Sequence, residues 1–108
     1  MSYSVKSLEV FERQARKLSK KYSSLKSDLL ELVQQLRQNG EQGSSLGNNC
    51  YKIRLAITSK NKGKSGGARV ITNIAVEERI VYLLSIYDKS DKDILSDKEL
   101  QELLKYLP

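Results

Sequence analysis

Tyr51-Lys52-Ile53-Arg54-Leu55-Ala56-Ile57 decides how this chain is read. Apolar side chains at 51, 53, 55 and 57 alternate with Lys52, Arg54, Ala56 and Thr58, the two-residue repeat of a strand with one buried face. Lys52 and Arg54 therefore point together to the other face. A basic, glycine-rich loop follows, and Ala68–Ala75 forms a second strand with Val70, Ile71 and Ile74. Val76–Arg79 makes the turn, and Ile80–Tyr87, apolar on both faces, reads as a central strand. Links this short favour an antiparallel meander over crossovers.

Upstream, residues 40–50 are rich in Gly, Ser and Asn and read as a loop. Before them the period is helical. Leu25, Leu29, Leu32 and Leu36 line one helix face, with an N-cap offered by Ser23-Ser24. That helix stops at Asn39-Gly40, where glycine accepts the left-handed terminating conformation. Leu8, Phe11, Ala15, Leu18 and Tyr22 line an earlier helix whose opposite face carries Glu9, Arg13, Arg16, Lys17 and Lys20. The short connection predicts two antiparallel helices, and residues 3–6 offer a short first strand. Downstream, Ser96 and Glu99 have capping-box spacing, Leu95 and Leu100 sit where a hydrophobic staple closes, and Pro108 ends the chain. Leu100, Leu103, Leu104 and Leu107 form a stripe that either packs on the chain's own sheet, the favoured reading, or is held out to a partner. The expected fold is α+β, one domain over residues 1–108: an N-terminal antiparallel helical hairpin packed on a small antiparallel β-sheet, with a C-terminal helix.

Composition excludes several chemistries. A chain of 108 residues builds one compact domain with a real core. One cysteine, Cys50, forms no internal disulfide, and with no histidine there is no Cys/His metal site and no histidine-driven nucleophile. No apolar run reaches the roughly 20 residues of a membrane helix, and no signal-peptide core is present, so the expected compartment is the cytoplasm. The net charge is +6, and its location is informative. From Gln42 to Val76 there is no Asp or Glu, but there are Lys52, Arg54, Lys60, Lys62, Lys64 and Arg69; the rest of the chain sums to zero. If the strands pair as a hairpin, these cations converge on one face and rim. That favours a polyanion or an acidic partner over a merely solvated face.

Other motifs carry less. Gly63-Lys64-Ser65 resembles the end of a phosphate-cradling loop, but Thr58 stands where the first glycine belongs and a strand follows, so no helix dipole receives a phosphate. Asp88, Asp91 and Asp93 lack the spacing, turn glycine and closing glutamate of a calcium loop and read as turn residues. Tyr51, Tyr82 and Tyr87 read first as core aromatics, although Tyr87 ends its strand where its hydroxyl can reach a site edge. Cys50 reads as a small buried filler or an inert surface thiol.

Three segments in order, Tyr51–Ile57, Lys62–Thr72 and Val81–Ser90, resemble the RelE/HigB-like toxins of bacterial toxin–antitoxin pairs, in the RelE/ParE superfamily; the capped helix from Leu95-Ser96 fits the same order. The resemblance covers residues 51–108, with a helical hairpin before it that agrees in kind. It implies a small antiparallel sheet against a helical hairpin, and an endoribonuclease that cuts messenger RNA in the ribosomal decoding site and so inhibits translation. It implies catalytic positions at Arg54, Arg69, Tyr87 and Lys89, and RNA-binding positions at Lys52, Lys60, Lys62 and Lys64. It implies no cofactor and no metal. The implied partners are a cognate antitoxin, often with a helix-turn-helix domain, and the ribosome with its messenger RNA; the toxin alone is expected to be a monomer, away from membranes.

The side chains suit that chemistry. RNA carries its own nucleophile, the 2′-hydroxyl, so an enzyme can act by aligning it with the adjacent phosphorus while arginines stabilise the developing charge. Proton transfer falls to Lys or Tyr, whose unperturbed pKa values of roughly 10 need lowering by clustered cations. Two alternatives stay open: a ParE-like inhibitor of DNA gyrase on the same fold, and a non-catalytic RNA- or protein-binding module.

Overall fold

The computed structural model describes residues 2–92 and 94–108. Five strands form one sheet in the order β1-β5-β4-β3-β2: β1 (Ser4–Ser7), β2 (Ser44–Gly47), β3 (Cys50–Leu55), β4 (Ala68–Ala75) and β5 (Ile80–Asp88). Helices α1 (Glu9–Lys21) and α2 (Leu25–Gln38) cover one face, and α3 (Asp97–Leu104) packs on the other. The meander β3-β4-β5 is antiparallel, as the short links require. The first strand exists, shifted by one residue from 3–6, and lies parallel to β5 through Ser4↔Ile80 to Ser7↔Leu83. It can do so because α1 and α2 intervene between the two strands, the long crossover that parallel neighbours need.

The core lies between the hairpin and the sheet. Phe11, Leu25, Leu32 and Leu36 pack on Ile53, Val70, Ile74, Val81, Leu83 and Ile86. On the opposite face Leu100 meets Ile71, Leu84 and Cys50, flanked by Leu95, Leu103, Leu104 and Leu107. The terminal stripe is therefore turned inward, and Cys50 is buried filler whose thiol pKa is pushed up by burial, against a lowering hydrogen bond from Asn73. The Ser96–Glu99 capping box forms in both directions, at 3.1 Å each way.

Two expectations are corrected. Residues 40–50 are not all loop: β2 pairs with β3 across a tight turn at Asn48-Asn49, both with positive φ as a two-residue hairpin demands. Its four residues are all exposed, so no apolar alternation marks it; backbone pairing alone makes it a strand. Second, Gly40 does not end α2 in the left-handed conformation. Asn39 is extended at φ −141°, and the Tyr3 N–H donates to Arg37 O (2.7 Å), so the residue just before β1 satisfies a terminal carbonyl. A Cβ at Gly40 would lie 3.0 Å from the Tyr3 ring, close enough that the ring would have to shift by a few tenths of an ångström. Ser24 occupies the N-cap position of α2, but its hydroxyl serves Asp28 and Ser59 instead of the helix backbone.

One irregularity places the site. Ile71 pairs with Ser85 and Thr72 with Leu83, so Leu84 is an extra residue in β5, a β-bulge. Before it, Val81 and Leu83 face the hairpin; after it, Ile86 does. The parity switch carries Tyr87 to the face of α3 and Asp88 to the face of the hairpin.

Candidate RNA-binding site

The site begins with register. Arg54 on β3 lies opposite Arg69 on β4, and Arg69 lies opposite Tyr87 on β5. Cross-strand partners share a face, so the three side chains form one row across the three central strands, at the end beside the glycine loop. Two cations directly opposite each other cost stability in a sheet, and here the fold tolerates the pair. Lys52, two residues before Arg54, extends the row along β3.

The two arginines differ in burial. Arg54 is exposed, whereas Arg69 retains only 3% of its surface. The Arg69 guanidinium donates to the carbonyls of Lys64 (2.9 Å), Ala68 (3.1 Å) and Ser65 (3.3 Å). It thereby organises the glycine loop from beneath. At the loop's end, Gly67 passes so close to β3 that a Cβ would lie 2.1 Å from the Leu55 carbonyl. The Lys89 N–H donates to Gly67 O at 3.0 Å, setting Lys89 at the same end of the loop.

Lys52, Arg54 and Lys64 line a groove of about 730 Å³ whose other wall is α2, through Asp28, Glu31 and Gln35. Asp28 is itself engaged: burial raises its pKa, but hydrogen bonds from the Thr58 hydroxyl and N–H and from Ser24 outweigh this and hold it below the usual range. Lys62 is exposed in the loop. Tyr87 lines a second hollow of about 300 Å³ with Gln14, Lys92, Glu99 and Tyr106. The Lys92 ammonium lies 5.6 Å from the Tyr87 ring centre and pairs with Glu99, whose pKa is lowered to about 2, first by that bond and then by the Ser96 N–H.

Lys60 is not with the other lysines. Its ammonium turns inward to the Asp88 carboxylate at 2.7 Å, leaving 10% of its side chain exposed. Asp88 also accepts from the Tyr22 hydroxyl (2.5 Å) and from the Ser90 N–H and hydroxyl (2.9 and 2.8 Å). Burial pushes the Asp88 carboxyl up, yet these donors, Lys60 first, hold it well below the usual carboxylate range. Asp88 in turn raises the Lys60 pKa through that hydrogen bond, against a lowering contribution from burial.

Thus the fold joins Arg54, Arg69 and Tyr87 in one row, gathers Lys52 and Lys64 beside Arg54, leaves Lys62 and Lys89 on the loop and turn, and sets Lys60 apart. Reasoning from sequence passes over Tyr22, Lys92 and the pairing role of Asp88. The contacts of Asp88 with Tyr22 and Lys60 join residues 66 and 28 positions apart, whereas Lys92 meets the nearby Tyr87 and the capping glutamate Glu99. Among the described residues, no three acidic or cysteine side chains gather as a metal-ligating group, and no helix is long and apolar enough to cross a membrane.

A hairpin-backed sheet with a capped terminal helix and a cationic row across its strands defines a small α+β protein with one basic, partly open face. Residues 7–107 match the family model described as "RelE toxin of RelE / RelB toxin-antitoxin system", and the chain belongs to that family. Among solved structures, it is similar to a two-site arginine-to-alanine mutant of E. coli RelE in the free state, at 19% identity and a TM-score of 0.68, covering 100% of both chains. It is similar to the toxin–antitoxin complex RelBE2 of Mycobacterium tuberculosis, at 16% identity and 0.58, covering 82% of this chain and 99% of that one. It is also similar to the mutant E. coli toxin bound to an antitoxin RelB peptide, at 22% identity and 0.52, covering 100% of both.

Proposed function

We propose that this RelE-family toxin is a ribosome-dependent endoribonuclease that cuts messenger RNA through the RNA's own 2′-hydroxyl, with no metal in the step. The observation that carries the reading is the cross-strand row Arg54–Arg69–Tyr87, whose exposed end, Arg54, shares one groove with Lys52 and Lys64. Arg54, exposed on the groove, grips a non-bridging oxygen of the scissile phosphate. Arg69 orders the loop and adds positive potential from below. Lys52, Lys62 and Lys64 hold the flanking phosphates. Tyr87 and Lys89 move the protons, one leaving the 2′-hydroxyl and one reaching the departing 5′-oxygen. The 5′ fragment then ends in a cyclic phosphate. Lys60, spent on Asp88, takes no part in phosphate binding.

The partner that restrains the activity is a cognate antitoxin presenting acidic or helical surface to the basic face. The antitoxin-bound relatives support that reading. The toxin alone acts as a monomer in the cytoplasm.

The test is induced expression of wild type and Arg54→Ala in bacteria, with mapping of messenger RNA 5′ ends and analysis of the 3′-terminal phosphates. New ends in codon frame with cyclic phosphates are expected for wild type. In a purified ribosome assay the variant should cleave about 10²–10³-fold more slowly, the usual loss for one charge-stabilising donor. Growth arrest with intact messages would overturn the reading and point to gyrase or another protein target.

A further inference from the structure

We infer that Asp88, Lys60 and Tyr22 form a positioning clasp for the cleavage reaction, one that holds Lys89 beside the glycine loop. The inference rests on the proposed function, because it takes Lys89 as a proton-moving group. The three residues are positioning residues: they act through Lys89 and not on the RNA.

The clasp follows from chain order. Asp88 lies between Tyr87 and Lys89, so whatever fixes its backbone fixes where the next side chain departs. It is 1% exposed, with its carboxylate turned to the hairpin face. One oxygen, Oδ1, accepts from the Lys60 ammonium at 2.7 Å, the Ser90 N–H at 2.9 Å and the Ser90 hydroxyl at 2.8 Å. The other, Oδ2, accepts from the Tyr22 hydroxyl at 2.5 Å. The bond to the Ser90 N–H closes an Asx turn, with Lys89 as its central residue. The Asp88 carbonyl tightens the same turn by accepting from the Asp91 and Lys92 N–H groups at 3.0 and 3.2 Å.

The turn is tied to both ends of the glycine loop. Lys60 closes the short 3₁₀ helix Thr58–Lys60, where the loop leaves, and its ammonium reaches Asp88. Gly67, where the loop returns, accepts the Lys89 N–H at 3.0 Å. The anchors behind the clasp belong to the helical hairpin. Thr58 is bonded to Asp28 of α2 through its N–H and hydroxyl, at 2.9 and 2.7 Å. Tyr22 ends α1, donating its N–H to Leu18 O at 2.9 Å, and its ring packs on the main core. Lys89 is thus placed by regular elements and not by the turn alone.

Stability alone does not account for this arrangement. An Asx turn is served as well by asparagine, and replacing a buried ion pair by well-packed apolar side chains is often neutral or stabilising. Here a full carboxylate is withdrawn from water and met by donors 66, 28 and two positions away. A fully satisfied buried network of this kind rigidifies one arrangement. The arrangement it selects sets the residue between the two groups assigned to proton transfer.

The test separates positioning from folding. Lys60→Met, Tyr22→Phe, Lys89→Met and the doubles of the first two with Lys89→Met are assayed on ribosome-bound messenger, at a temperature where thermal unfolding shows them folded. Lys60→Met should lower kcat by roughly 10–10²-fold, the scale of a misplaced catalytic group, with KM for the ribosome complex unchanged. Tyr22→Phe keeps the ring and the ion pair; it should show a smaller loss of the same kind, and it carries the test if Lys60→Met does not fold. In the Lys89→Met background neither substitution should slow cleavage further, because residues that act as a unit are not additive. Losses that multiply there, or a raised KM with kcat unchanged, overturn the inference. Amide hydrogen exchange reads the clasp without cleavage: Lys89 should exchange faster in Lys60→Met while β4 keeps its protection. Lys89 exchange at the wild-type rate overturns the inference alone. Wild type that cleaves no messenger defeats the proposed function, and exchange then decides the clasp by itself.

Discussion

The two faces of the sheet are built on different terms. Beneath the helical hairpin, Leu25, Leu36, Val70 and Val81 are fully buried and the core is closed. On the other face only part is covered, where α3 sets Leu100 against Ile71 and Leu84. The rest holds Lys52, Arg54, Arg69 and Tyr87. A buried cation needs polar partners, as Arg69 has in the carbonyls of Lys64, Ala68 and Ser65, and Arg54 stays exposed, so a face that carries this row cannot also be the main core. The hairpin side supplies most of the stability, and the cations lie on the other face and along the β3 edge, where α2 walls the groove.

Asp88 joins the two faces, and its loss is the sharpest way to break the comparison. Asp88→Asn leaves Lys60 without its charge partner, and removing one member of a buried pair costs about 3–5 kcal/mol. The folded pKa of Asp88 lies below its unfolded value, so its contribution is present above about pH 4 and is lost as pH falls toward the folded value. Lys60 is raised, so its contribution holds below about pH 10.4 and is lost as pH rises through the folded value. Urea unfolding across pH should show a constant gap between wild type and variant from about pH 5 to 9, narrowing at both ends. A gap that widens in acid would contradict this account of the pair.

The faces themselves are compared by truncating one leucine on each. Leu36→Ala, in the closed core, should cost about 3–5 kcal/mol, and Leu100→Ala, under an eight-residue helix, about 2 kcal/mol. Equal costs would show that the α3 face is as much a core as the hairpin face. The smallest effect is expected from Ser96→Ala, which removes the cap of α3 and costs about 1 kcal/mol. Amide exchange should accelerate over 97–104 while β4 and β5 keep their protection.

Legibility followed the range of the forces. The β3 alternation, the apolar residues of β4, the stripes of α1 and α2 and the capping box of α3 rest on neighbours within a few residues, and each appeared where its pattern stood. β2 stayed hidden because Ser44–Gly47 buries nothing. Of the site, Arg54 and Lys52 were legible as one face of one strand. Lys60 was not separable from Lys62 and Lys64 by any local pattern, since its carboxylate lies 28 positions away.

By itself, then, the sequence determined the inventory: three helices, the meander strands with their faces, and a concentration of charge with no acid among it. These follow from periodicity, caps and composition, which act locally. The tertiary structure decided which of those charges stand together. A single extra residue at Leu84 switches the parity of β5, sending Tyr87 to the arginines and Asp88 to Lys60. β5 is apolar on both faces, so its own side chains could have packed in either parity; only pairing with β4 and contact with two different layers select one.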